Sequence, residues 1–140
     1  MIFFNRMTDY GIMIMVHLAA NPDHAHKSQE IVRKIPVAQA AVRKLLTILT
    51  QNGLLVSHRG PNGGYQLALP PEEITIHQMI TALEGAVAMT HCTSHHSTCT
   101  LLPSCSISHH WQRINGQVQD LLAGITLDQM SKGLERKLQT

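Results

Sequence analysis

The sequence predicts a mainly α-helical fold with one small β-hairpin: a winged helix-turn-helix followed by a C-terminal helix. Three observations carry that prediction. Apolar residues recur at three- and four-residue steps through residues 37–51, two short apolar runs flank a Pro/Asn/Gly-dense turn at 58–64, and a second amphipathic stripe occupies 108–122.

The elements follow in order. Thr8 and Asp9 offer a polar N-cap for a first helix through the apolar run 12–20, which Asn21-Pro22 stops. Ser28 caps a short second helix to Lys34. Pro36 then opens a third segment, 37–51, with Ala41, Val42, Leu45, Leu46 and Leu49 on one face, and Asn52-Gly53 closes it as a left-handed C-cap does. Runs 54–56 and 65–69, joined by His58-Arg59-Gly60-Pro61-Asn62-Gly63-Gly64, make the hairpin. Pro70-Pro71 separates this head from Thr75-Ile76-His77-Gln78, a Thr-x-x-Gln capping box that starts a helix running to about Glu84, where Gly85 ends it. Residues 90–106 are rich in Ser, Thr, His and Cys, with only Leu101 and Leu102 as large aliphatics, so they read as a loop. Trp111, Ile114, Val118, Leu121 and Leu122 then form the stripe of a long helix. A second capping box, Thr126-Leu127-Asp128-Gln129, begins a terminal helix.

The 140 residues amount to one domain, with a head (1–70), a helix and cysteine loop (71–106), and a dimerisation helix with its tail (107–140). A hydrophobic fraction of 44% excludes a disordered or low-complexity chain. No basic lead precedes a long apolar core at the N-terminus, and the run 12–20, broken by His17, is short of the roughly 18 residues of a membrane span. A cytoplasmic protein with no membrane partner is expected. The net charge of +2 conceals an asymmetry. Arg6, Lys27, Arg33, Lys34, Arg43, Lys44 and Arg59 face only Asp9, Asp23 and Glu30 in the first seventy residues, giving +4 there and −2 in the remainder, so contact with a polyanion belongs to the first half.

A helix fits the DNA major groove, where Arg pairs two guanine acceptors and Gln pairs adenine, so Gln39, Arg43 and Lys44 near the start of the third helix are expected contacts. Arg59 and Asn62 lie on the hairpin turn and Ser28 at the start of the second helix. An arginine on a tight glycine-rich turn can reach a minor groove or its phosphates. Residues 60–64 lack the Lys-Ser/Thr that a phosphate-binding P-loop requires. No paired general acid and base, nucleophile motif or cofactor fingerprint occurs, so an enzyme is not expected.

Cys92, Cys99 and Cys105 are the protein's only cysteines, and all three fall in the polar loop. An odd count argues against a disulfide scaffold, and spacings of six and five exceed those of common zinc knuckles. A loop this poor in apolar groups cannot offset an ordering entropy of roughly 1–2 kcal/mol per residue unless something pins it. Three thiolates can do so by ligating an iron-sulfur cluster, zinc or copper(I), leaving one position for another ligand. His91, His95, His96, His109 and His110 crowd the region, and Asp9 is a further oxygen donor. A zinc-stabilised DNA-binding protein without sensing remains the alternative.

Thr8-Asp9-Tyr10-Gly11, the stretch Ser57 to Tyr65, Ile74-Thr75 through Leu83-Glu84-Gly85, the three cysteines and Trp111-Gln112-Arg113-Ile114-Asn115 together resemble the Rrf2 family of winged-helix regulators over nearly the whole chain. The first and last motifs look most like the branch that regulates the SUF iron-sulfur cluster assembly operon. The resemblance implies a homodimeric repressor on a double-stranded DNA operator, holding a [2Fe-2S] or [4Fe-4S] cluster through Cys92, Cys99 and Cys105 and reading DNA with its wing arginine, Arg59. Two departures bear on the fourth ligand. The IscR-like branch has a histidine three residues after the last cysteine, where this chain has Ser108 and then His109. The NsrR-like branch, which senses nitric oxide, takes an aspartate of the partner's first helix, which matches Asp9, so a nitric-oxide-sensing repressor of the same family is a further alternative. Asp9 therefore ranks ahead of His109.

Overall fold

The computed structural model describes residues 3–138, and its element order is the expected one: α1 (Arg6–Ala19), α2 (Ser28–Lys34), α3 (Gln39–Gln51), β1 (Leu55–His58), β2 (Gly64–Leu67), α4 (Ile76–Glu84), α5 (Ser108–Ala123) and α6 (Leu127–Leu138). The chain is mostly helical with a two-stranded antiparallel hairpin. Among the described residues no helix is long and apolar enough to cross a membrane.

Helix α1 begins one turn earlier than its sequence suggests. Asn5, not Thr8 or Asp9, is the N-cap, its side chain accepting the Thr8 N–H at 2.9 Å. Thr8 is free of capping duty because its buried hydroxyl donates to Glu84 at the end of α4, the same carboxylate oxygen that accepts the Asn5 N–H at 2.8 Å. Close approach of the two helices also explains Gly11, where a Cβ would fall 2.6 Å from Leu83 Cδ1.

Ser28 likewise proves to be the first residue of α2 rather than its cap. The preceding Lys27 N–H is taken by Glu30 at 3.0 Å, which satisfies an otherwise orphan donor of the first turn. Helix α3 starts two residues after Val37 because the Val37 N–H is drawn back to the Ile35 carbonyl at 2.7 Å in a tight turn around Pro36. Its close is as expected: Asn52 is the C-cap and Gly53 has φ +76°.

In the hairpin, Leu55 pairs with Leu67, Val56 with Gln66, Ser57 with Tyr65 and His58 with Gly64. β1 thus reaches two residues, and β2 one residue, closer to the turn than the apolar runs alone imply, since ladder pairing, not hydrophobicity, fixes Ser57, His58 and Gly64. A further bridge joins His26 to Tyr65, binding the α1–α2 connection to the wing.

The core is built from one face of each head element and of α4: Ile14, Met15 and Leu18 of α1, Ile31 of α2, Val42, Leu45, Leu46 and Leu49 of α3, Leu55 and Leu67 of the wing, and Met79 and Ile80 of α4. Each such side chain contributes about 1.5–3 kcal/mol through burial. Both capping boxes form: Thr75 with Gln78, and Thr126 with Gln129. They lie side by side, joined by a Thr75–Thr126 bridge and by the Leu127 N–H donating to Ile74 O at 2.7 Å, so the fully buried Leu127 draws α6 onto the head. By contrast, no residue from 81 to 114 is buried.

Candidate DNA-reading head and cysteine loop

Gln39, Arg43 and Lys44 are exposed in the first half of α3 while the opposite face fills the core, so they point away from the head. Arg59 is exposed at the first position of the wing turn, where Gly60 has φ +97° and its carbonyl accepts the Gly63 N–H at 2.9 Å. A Cβ at Gly63 would strike the His58 carbonyl, so the turn keeps this tightness only with glycine there. Ser28 and Arg59 line one open groove between the start of α2 and the wing, together with Lys27, Gln29, Ser57 and His58. None of the residues lining it is acidic, as a polyanion-binding surface requires. Lys27 and His58, which the sequence analysis did not single out as contacts, join Ser28 and Arg59 in lining this groove, next to them in sequence. Asn62 lies in a neighbouring depression with His24, Lys27 and Glu30. Burial first, and then the electrostatic influence of His26 and Lys34, hold the His17 imidazole below its ordinary pKa, against an opposing pull from Glu30.

The cysteine loop is organised differently. Cys92, Cys99 and Cys105 are half-buried free thiols. Cys92 sits in a single 3₁₀ turn, His91–Thr93, and Cys105 directly follows another, Leu102–Ser104. The hydrogen bonds within the loop are local: the Thr90 hydroxyl with Cys92 Sγ at 3.0 Å, the Cys99 N–H to Ser97 Oγ at 3.4 Å, the Ser108 hydroxyl to Cys105 O at 3.2 Å. Its one long-range anchor is α5. Asn115, 6% exposed, accepts the Met89 N–H at 2.8 Å and donates to Val87 O at 3.2 Å, and Gln119 donates to the same carbonyl at 3.0 Å. Asn115 thus fixes the strip of chain from which the loop departs.

The three cysteines do not form a group able to hold one ion; among the described residues the group that does is His24, His26 and Glu30. A single zinc ion needs its ligands drawn to about 2.0–2.3 Å from one centre. Three soft donors with one position to fill match the chemistry of an iron-sulfur cluster. Of the two candidates for that position, His109 is exposed in the first turn of α5. Asp9 is exposed in the first turn of α1, relieved of the capping role that Asn5 takes.

Comparison with known proteins agrees with this architecture. Residues 4–133 match the Rrf2 family, described as iron-dependent transcriptional regulators. The transcriptional regulator NsrR of Oceanobacillus iheyensis is 29% identical over 138 residues, covering 95% of this chain and 92% of its own. IscR of Pectobacterium atrosepticum is 30% identical over 106 residues, covering 76% of this chain and 64% of its own. The structure of CymR, the global cysteine regulator of B. subtilis, superposes with a TM-score of 0.75 at 25% identity over 94% of this chain and 98% of that one. These relatives are regulators rather than enzymes, and the chain belongs to the Rrf2 family of winged-helix transcriptional regulators.

Proposed function

We propose that the chain is a homodimeric repressor of iron-sulfur cluster assembly genes, acting in the cytoplasm, whose grip on its operator is set by a [2Fe-2S] or [4Fe-4S] cluster on Cys92, Cys99 and Cys105. The observation that carries this reading is that the three cysteines occupy the one long stretch, 81–114, in which no side chain is buried. When bound, the cluster supplies the cross-links that an apolar core supplies elsewhere and responds to redox conditions or iron supply.

The chain's own residues divide the work: 1–70 reads DNA, 71–106 holds the cluster, and 107–140 pairs the subunits. Gln39, Arg43 and Lys44 address base edges, while Ser28, Arg59 and Asn62 fix the head on the backbone and minor groove. Along α5, Ile107, Trp111, Ile114, Val118 and Leu121 follow steps of four and three, the pattern of a two-helix seam. Ile107 and Leu121 are 55% and 65% exposed in the single chain, apolar surface that a second copy would cover. Asp9 of the partner subunit ranks ahead of His109 as the fourth ligand.

Visible absorption and Mössbauer spectra of anaerobically purified protein test the reading. A brown protein that loses its colour in a Cys92→Ser, Cys99→Ser, Cys105→Ser variant is expected; a colourless parent carrying stoichiometric zinc on those thiols overturns it. Sedimentation of an Ile114→Lys, Leu121→Lys variant is expected to give monomers, and an intact dimer would remove α5 as the seam.

A further inference from the structure

The α1–α2 connection carries a set of donors that DNA reading and cluster binding both leave unused. His24 closes the turn that begins at Asn21, its N–H donating to the Asn21 carbonyl, His26 pairs with Tyr65 two residues later, and Glu30 follows in the first turn of α2. One ring nitrogen from each histidine and a carboxylate oxygen of Glu30 all lie within 4.8 Å of one another. The His24 and His26 rings meet edge to face with centroids 4.8 Å apart, and His24 Nε2 is 3.9 Å from Glu30 Oε2. We propose that these three residues form a binding site for a divalent transition-metal ion of the zinc class, separate from the cysteine loop and seated against the wing.

Four features support the assignment. Two imidazoles and one carboxylate are the donors that zinc and its neighbours prefer, and they leave a position for water or another side chain. His26 is 5% exposed, and its Nε2 lies 3.2 Å from the Asn21 carbonyl, which can only accept. Nε2 therefore donates there and Nδ1 is the nitrogen left for an ion, the arrangement in which a metal-binding histidine donates its other N–H to a backbone carbonyl. His17 stands 5.3 Å from the His26 ring and is the nearest spare imidazole. The depression lined by His24, Glu30, Pro61, Asn62 and Gly63 opens to solvent, which gives an ion a way in. A buried histidine satisfied by one hydrogen bond would explain His26 alone; it would not bring His24 and Glu30 to the same point.

An ion here acts on the DNA-reading head. His26 exchanges both backbone hydrogen bonds with Tyr65 of β2, at 2.8 and 2.7 Å, so a metal joining His26 to Glu30 ties the wing to the start of α2. Zinc binding to the full-length, cluster-loaded protein tests the proposal by calorimetry, with cobalt(II) as a spectroscopic probe and the Tyr65 amide followed by hydrogen exchange. The variants are His24→Ala and Glu30→Gln. Both positions are exposed, and glutamine keeps an acceptor for the Lys27 N–H. The parent is expected to bind one ion per chain with cobalt bands free of thiolate charge transfer and with slower exchange at Tyr65. Each variant is expected to bind at least about 10-fold more weakly. Unchanged affinity in both variants, or cobalt bands of thiolate character alone, overturns the site. Because the readout excludes thiolate ligation, it stands apart from the outcome at the cysteine loop.

Discussion

Between Ile14 and Ile80 every element of the chain places at least one side chain in the core, whereas from residue 81 to 114 nothing is buried. The head and the cysteine loop therefore hold their shapes by different means within one small protein. In the head, apolar burial opposes the entropy of ordering; in the loop, hydrogen bonds span three residues or fewer, and the long-range hold comes from Asn115 and Gln119. A region of the second kind responds to what binds it, because little else fixes its conformation. A sensing element gains from that softness, and a DNA-reading element gains from rigidity.

The contrast can be broken or sharpened by substitution. Leu46→Ala, which opens a cavity against a fully buried position, is expected to cost about 2–5 kcal/mol in chemical denaturation, and a smaller loss would mean the head is not tightly packed. Asn115→Ala comes next. It orphans the Met89 N–H and removes one of the two donors to Val87 O, at about 1–3 kcal/mol, and should also impair cluster loading in reconstitution; full loading would show that the loop does not depend on its α5 anchor. Arg59→Ala should leave stability and cluster content alone while weakening operator binding and lowering the salt dependence by about one phosphate contact, measured by fluorescence anisotropy at several salt concentrations. Leu101→Ala, 67% exposed in the loop, should change stability by less than about 0.5 kcal/mol in the cluster-free protein. A loss like that of Leu46→Ala would mean the loop packs after all.

The head was largely legible because its rules are local. Periodicity in α3, the Asn52-Gly53 close and both Thr-x-x-Gln boxes each depend on residues at most four apart. At α1 the reading failed because a distant partner had intervened: Glu84 takes Thr8 out of the cap from 76 positions away; at α2 the miss was local, since Lys27 is the N-cap and Glu30 three residues on accepts its N–H. Pairing of the two capping boxes through Thr75 and Thr126 was equally invisible, since nothing in either box refers to the other. The cysteine loop was legible as a loop, but the two 3₁₀ turns that carry Cys92 and precede Cys105 were not, since composition does not encode them. His24, His26 and Glu30 carry an ordinary-looking His-x-His in a turn, and only the fold against Tyr65 draws them together.

The claim on which the rest depends is that the cysteine loop takes its shape from the cluster and passes it to the paired heads. Operator affinity of cluster-loaded and cluster-free protein, measured at the same salt concentration on the same DNA, tests it most directly. The account predicts a difference of roughly 5- to 150-fold, the usual range for coupled sites. Equal affinity in the two forms would contradict it.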